Sequence, residues 1–332
     1  MNRIAAALVL LITAAAGRAS ADPKAPAPAA KSDCTLPAAA LASKTGASES
    51  SGLDLSPSGH PFTHLVVDNP LGNVTVEGYD GTAIHIETRK HAPDDDTLER
   101  LRVSLIPSAD GTVRITSTAD GGREVRPVAR GAVRVDLFIR APRNAHVEAA
   151  ASAGKLDIAN LDAGGDLDTA SGPISVCNVS GEVFTHSLTG ATRLQQVFGS
   201  VDAQAVQADV DLDTITGERL VATVDRGSIA GRRVRSRTVQ LTTTDGRIRL
   251  EAEVALHGRV SAASLGGDVE VRLHRHGGVI VRAQGAKVDF GALGVPVVLA
   301  DGWRQIALGA ADAAAMVELR SQHGNVQFVI VE

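Results

Sequence analysis

The chain has 332 residues and a formal charge of −5, and only 2% of it is Trp, Tyr or Phe. That charge excludes a protein that grips nucleic acid by bulk electrostatics, and the shortage of rings excludes base-stacking platforms and aromatic-lined pockets. An apolar fraction of 44%, mostly Ala, Val, Leu and Ile, leaves one large domain or two ordinary ones built from small and branched side chains.

The first residues have the form of a secretory signal. Arg3 gives a positive start, and residues 4–16 are apolar but shorter than the ~20 residues a spanning helix needs. Ala19, Ser20 and Ala21 then put small residues where a signal peptidase reads, so residues 1–21 are expected to be removed. No later segment reads as a spanning helix. The mature protein is expected to be secreted, to the periplasm or the outer cell surface, and not to be transmembrane. Residues 22–61 are rich in Ala, Pro and Ser and read as a linker. Cys34 lies in it and Cys177 far beyond it. An even count in an exported chain permits one disulfide between them, with two free thiols as the alternative.

From Phe62 the pattern becomes that of strands. Leu65 and Val67, Val74 and Val76, and Ile84 and Ile86 recur at period two, with Gly72, Gly78 and Gly81 between them. Further alternating segments continue to Pro142, with a candidate short helix after Asp94, Asp95 and Asp96. Residues 62–145 are read as an N-terminal β-strand region and cap.

A repeat starts near His146. Gly154, Gly172, Gly181, Gly190, Gly199 and Gly217 share one nine-residue register, with Ala163 and Ala208 in two of its places. Apolar or small residues follow at +2, +4 and often +7, as Leu156, Ile158 and Leu161 follow Gly154. After Gly217 the register slips by one. Strands of about five residues separated by glycine turns cannot close alone, so two or three units make a coil, and coils stack into parallel sheets. A two-sheet antiparallel sandwich also alternates, but it has no reason to hold one phase over six units. The fold class expected is all-β: a parallel β-solenoid of nine-residue strand-turn units over residues 146–291, with capping strands at both ends. Residues 292–332 are read as the C-terminal cap, since an open coil exposes apolar side chains and free sheet edges.

The phrases "TASGPISV", "TTTDGRIRL" and "AASLGGDVEV", preceded by "VVDNPLGNVTVEGYDGTAIHIETRK", resemble the bacterial putative-adhesin β-strand repeat family, a large family of unknown function. The resemblance runs from about Phe62 to Phe290. It implies a β-solenoid on an exported or membrane-associated protein and offers no catalytic residues to transfer.

Four constellations carry candidate chemistry. Asp209, Asp211 and Asp213 alternate with Val210 and Leu212, so their carboxylates share the outward face about 7 Å apart, a candidate Ca²⁺ row. The calcium-binding β-rolls repeat such a motif at every turn, and here it occurs once; in an 18-residue coil Arg193 would lie beside Asp211 and neutralise it. His274 and His276 have the spacing of two metal ligands without a third. Arg232, Arg233, Arg235 and Arg237 form a basic patch able to grip an anionic polymer, or simply a solvated turn. Asp166, Asp168, Glu182, Asp202 and Glu218 could serve a β-helix polysaccharide lyase or hydrolase, but every turn is short and no catalytic motif is present. The reading is an exported, non-catalytic, adhesin-like binding or scaffold protein of the cell envelope. Its expected partner is an envelope glycan or an envelope protein, with no nucleic acid and no cofactor. The alternatives are a β-helix carbohydrate-active enzyme and an envelope-stress or assembly accessory.

Overall fold

The computed structural model describes residues 46–57, 59–119, 133–310 and 314–331. The chain divides into two units: Met1–Ser32, which lies outside the described residues, and Asp33–Glu332. The signal segment, most of the expected linker and Cys34 fall outside the described residues.

The body is a solenoid of two-stranded coils. One parallel ladder, sheet A, stacks His146–Ala151, Gly165–Thr169, Val183–Ser187 and Val201–Ala205. The other, sheet B, stacks Leu156–Leu161, Ile174–Ser180 and Thr192–Phe198. The long strands Val210–Arg226 and Ile229–Asp245 turn a corner and serve both ladders. Residues 18 apart therefore face each other, as Asn160 and Asn178 do. The nine-residue unit is half a coil.

The shared glycine phase resolves into two columns, one at each corner. Gly154, Gly172 and Gly190 stack at one, and Gly181, Gly199 and Gly217 at the other. A Cβ on Gly172 would lie 1.7 Å from the carbonyl oxygen of Gly154, and one on Gly199 would lie 1.8 Å from that of Gly181. Close approach of successive backbones thus requires glycine there. The hydroxyl three residues earlier fixes the first corner: Gly172 N donates to Thr169 Oγ1 (3.0 Å), Gly190 N to Ser187 Oγ (2.9 Å) and Gly267 N to Ser264 Oγ (2.8 Å). This is the physical content of a hydroxyl residue three places before the corner glycine, as in TASG at 169–172, SLTG at 187–190 and SLGG at 264–267.

The +7 position also has a cause. Asn160, Asn178, Gln196, Thr214 and Arg233 all have positive φ, between 51° and 60°. Each occupies the same place in its coil. A left-handed residue takes no place in the ladder, so Ala159 pairs with Cys177 and Leu161 with Val179, and Leu161 turns back inward. Beyond Arg233 the device stops. Ile248, Leu250, Ala252 and Val254 alternate without interruption, all buried. The coil meanwhile lengthens: Val201 faces Leu220, and farther on Val239 faces Val260. The wider end admits rings, and buried Phe290 and Phe328 meet edge to face with centroids 6.5 Å apart.

Both ends break chain order. At the start, Leu65 of the strand His64–Asn69 pairs with Val147 on one side and Val113 on the other. The first coil therefore sits inside a layer made later in the chain by Thr112–Ala119 and Arg134–Pro142. At the other end, Ala315–Ser321 and Val326–Val331 lie between the coil at Arg259–Arg275 and the strand Val279–Gln284. The segment expected only to cap the stack thus contributes a full coil. Antiparallel strands then close the ends: Ile84–Ala92 and Leu101–Pro107 at one, Arg304–Leu308 at the other. Residues 47–55, assigned by composition to the linker, form a strand against Ile84–Ala92. Asp54 meets His85 (2.6 Å) and Glu49 meets Lys90 (2.9 Å) along it. Its polar side chains are exposed, so it carries no period-two apolar signal. The short helix Asp95–Glu99 is present, capped by Asp94, which accepts from Thr97 N at 2.7 Å.

Candidate functional site

The outer face of sheet B gathers the acidic row, the arginine cluster and the histidines into one ion-pair lattice. Asp209 accepts from Ser228 N (2.7 Å). Asp211 lies 3.5 Å from both Arg193 and Arg232, and Asp213 pairs with Arg233. Arg235 meets Glu253 at 2.5 Å, His276 meets Glu253 at 2.7 Å, and His274 meets Glu251 at 3.3 Å. Arg249 and Arg272 both reach Glu270. Arg237 lies beyond the corner, exposed. Burial pushes the Glu253 carboxyl up, but hydrogen bonds and charge from His276 and Arg235 together outweigh it and hold the group below its ordinary range. Two members of the acidic row, Asp211 and Asp213, therefore pair with two members of the arginine patch, Arg232 and Arg233. Among the described residues, no group of three or more His, Cys, Asp or Glu is arranged to hold a metal ion.

The outer face of sheet A is different. Asp166, Phe184 and Asp202 occupy one outward column in register, and Asp168 and His186 the next, with His186 Nδ1 2.9 Å from Asp168. The first coil and the cap layer extend the first column. Val66 pairs with Glu148 and Arg114, and Glu148 with Asp166. Together Val66, Asp68, Arg114, Glu148, Asp166, Asp168 and Phe184 line an open groove of about 460 Å³. Of the five carboxylates singled out in the sequence, Asp166 and Asp168 line it. Asp202 lies next to Phe184, while Glu182 and Glu218 sit outside it. Asp68, Glu148, Arg114 and Phe184 were not singled out. Phe184 had one usable signal, an aromatic ring at an outward place in a chain almost without rings. Farther along the same face Arg219, Arg259 and Arg282 are exposed, with exposed Glu318 beside Arg282.

The groove floor is rigid sheet backbone, so its side chains are held at fixed spacing. It offers carboxylate acceptors beside an aromatic face and an apolar patch. That combination suits a cationic group carried on an apolar stem. No described helix is long and apolar enough to cross a membrane.

A family model described as Toastrack DUF4097 matches residues 62–327. A putative adhesin from Bacteroides fragilis is 11% identical; the match covers 84% of this chain and 97% of that one, with a TM-score of 0.39. A putative cell adhesion protein from Clostridium sporogenes is 12% identical, over 86% and 100% of the two chains, with a TM-score of 0.26. A putative lipid binding protein from Parabacteroides distasonis is 12% identical, over 84% and 96%, with a TM-score of 0.36. No curated protein matches the chain.

Proposed function

Because the chain belongs to the Toastrack DUF4097 family, we propose that it is an exported, non-catalytic binding or scaffold module of the bacterial envelope that works through the outer face of sheet A. The observation that carries this reading is the groove between Arg114 and Phe184. It is open and set on a stiff sheet, and its carboxylates stand in two adjacent columns, Glu148 and Asp166 in that of Val66, Arg114 and Phe184, and Asp68 and Asp168 in the next. Asp68, Glu148, Asp166 and Asp168 repel acidic polymers, which many envelope glycans are. The groove therefore favours a protein partner presenting Lys or Arg, or an amine-bearing glycan. Contact would be spread over several strands and would need no turnover.

Two assays test it. Envelope extract is passed over the immobilised protein and over a Phe184→Ala, Asp166→Asn, Asp168→Asn variant; the expected result is a retained protein or amine-bearing glycan that the variant loses and that salt elutes. Equal retention by both would remove the groove from the reading. Incubation with acidic and neutral glycans, read for new reducing ends, is expected to release nothing, and a product would overturn the non-catalytic assignment.

A further inference from the structure

We propose, resting on the reading of the sheet A groove as the binding surface, that the groove holds a cationic group at neutral pH and releases it as His146 and His186 take up protons in mild acid. Two of the carboxylates lining the groove each face an imidazole. His186 Nδ1 lies 2.9 Å from Asp168 Oδ2, and His146 Nε2 lies 3.6 Å from Asp166 Oδ2. Both rings are partly exposed, so protons reach them from solvent.

The tautomer of His146 is set from its other side. Its Nδ1 is 2.9 Å from the carbonyl oxygen of Ala163, which can only accept, so Nδ1 carries the proton. In the neutral ring Nε2 is then a lone pair turned toward a carboxylate. A second proton lands on Nε2, between the ring and Asp166, and turns a repulsive contact into an ion pair. At His186, Nδ1 donates to Asp168, and charging the ring strengthens that bond.

The remaining neighbours of the two rings differ. His146 stands beside His64 in the ladder, with ring centroids 6.0 Å apart, and Glu148 lies two places along its own strand. Glu148 favours a proton on His146, whereas a charged His64 opposes it and adds positive charge at the same end of the groove. His186 has Asp168 on one side and Gln204 on the other, with Phe184 two places along its strand. Asp168 is therefore its charged ladder neighbour.

Asp68, Glu148, Asp166 and Asp168 line the groove against Arg114, which leaves three negative charges. Two imidazoliums reduce this to one. They do so at Asp166, the ladder neighbour of Phe184, and at Asp168 on the same strand. A bound cation and the ring protons thus compete for the same carboxylates, and by linkage each weakens the other. Free carboxyl and ammonium groups keep their charge between about pH 7.5 and about pH 5.5, whereas imidazole does not. That window isolates the rings.

The test uses the full mature chain and a fluorescent tetralysine peptide at low salt, with binding read by anisotropy at about pH 7.5 and about pH 5.5. The wild type is expected to bind about fivefold or more tightly at the higher pH. A His146→Gln, His186→Gln variant, neutral at both rings throughout, should keep less than about a twofold difference. His186→Lys, charged throughout, should weaken binding at the higher pH toward the acid value. Equal affinity of the wild type at both values would overturn proton release and leave the groove as the binding surface; this comparison needs no variant to fold. A full pH dependence surviving in the double variant, with thermal melting showing it folded, would do the same. Absence of binding at both values would remove the groove reading itself, and proton release with it.

Discussion

Asn178 Nδ2 donates to Asn160 Oδ1 at 2.8 Å across one coil, and both residues are left-handed, with φ of 52° and 60°. Asparagine is among the few side chains that tolerate that conformation, so one residue type serves both the bend and the bond between coils. The ladder ends there: Asn178 Oδ1 is buried with no hydrogen-bond partner. Asn178→Ala should lose the bond and strain the bend, costing about 1–3 kcal/mol in urea unfolding. Gln196, which has a contact of its own, stands at the next left-handed position. An unchanged urea midpoint in Asn178→Ala would show that the bond between coils carries no stability.

The glycine corner gives a sharper steric prediction. A Cβ on Gly172 has backbone oxygen and carbon of Gly154 within 2.5 Å. Neither neighbour is a flexible side chain able to move aside. Gly172→Ala should force the coils apart and cost about 1–3 kcal/mol or more. At Gly52 an added Cβ would meet nothing within 4 Å beyond its chain neighbours, so Gly52→Ala should change the thermal midpoint little.

The middle of the stack was legible because its coils follow one another in sequence at constant length. Gly154 to Gly217 keep one phase for that reason, and the outward row Asp209, Asp211, Asp213 could be placed from it. Its neutralising partners were harder. Arg193 follows from an 18-residue coil, but the coil lengthens between Val210 and Ile229, and this decides that Arg232 and Arg233 reach Asp211 and Asp213. The ends hid more. Arg114, Val66, Glu148 and Asp166 stand side by side, yet the chain visits the second before the first and leaves a long excursion between. No local period records such a jump, so the groove could not be assembled from the repeat. The strand Ala47–Leu55 was hidden for another reason. It is held by backbone pairing and ion pairs at an exposed edge, which composition reads as linker.

The ion-pair lattice on sheet B makes stability fall on the acid side. Glu253 is held below its ordinary range in the folded protein: burial works against this, and His276 and Arg235 outweigh it. A depressed folded value means the contribution is fully present above the unfolded carboxylate value, near 4.5, and is lost as pH falls through the folded value. The stability difference between the wild type and Glu253→Gln should therefore shrink as pH falls below about 4.5. Arg235→Ala should move that loss to higher pH, as read by carboxyl NMR of Glu253. A difference that does not change with pH would remove the carboxylate from the explanation.

The inward and outward assignments can be tested with three substitutions on neighbouring coils. Val201 and Val210 are 2% and 1% exposed and face the continuous core, one from each sheet. Asp202 stands between inward Val201 and Ala203 and points out beside Phe184. Val201→Asp and Val210→Asp each place a carboxylate among aliphatic side chains with no partner, so each should cost on the order of 4 kcal/mol or prevent folding. Asp202→Val removes a solvated charge and should move the thermal midpoint by little. Because the coils are stacked, a carboxylate at Val201 also faces Val183 and Leu220 in the layers on either side, and melting should lose cooperativity as well as temperature. Equal tolerance of all three would mean that the alternation runs in the opposite phase.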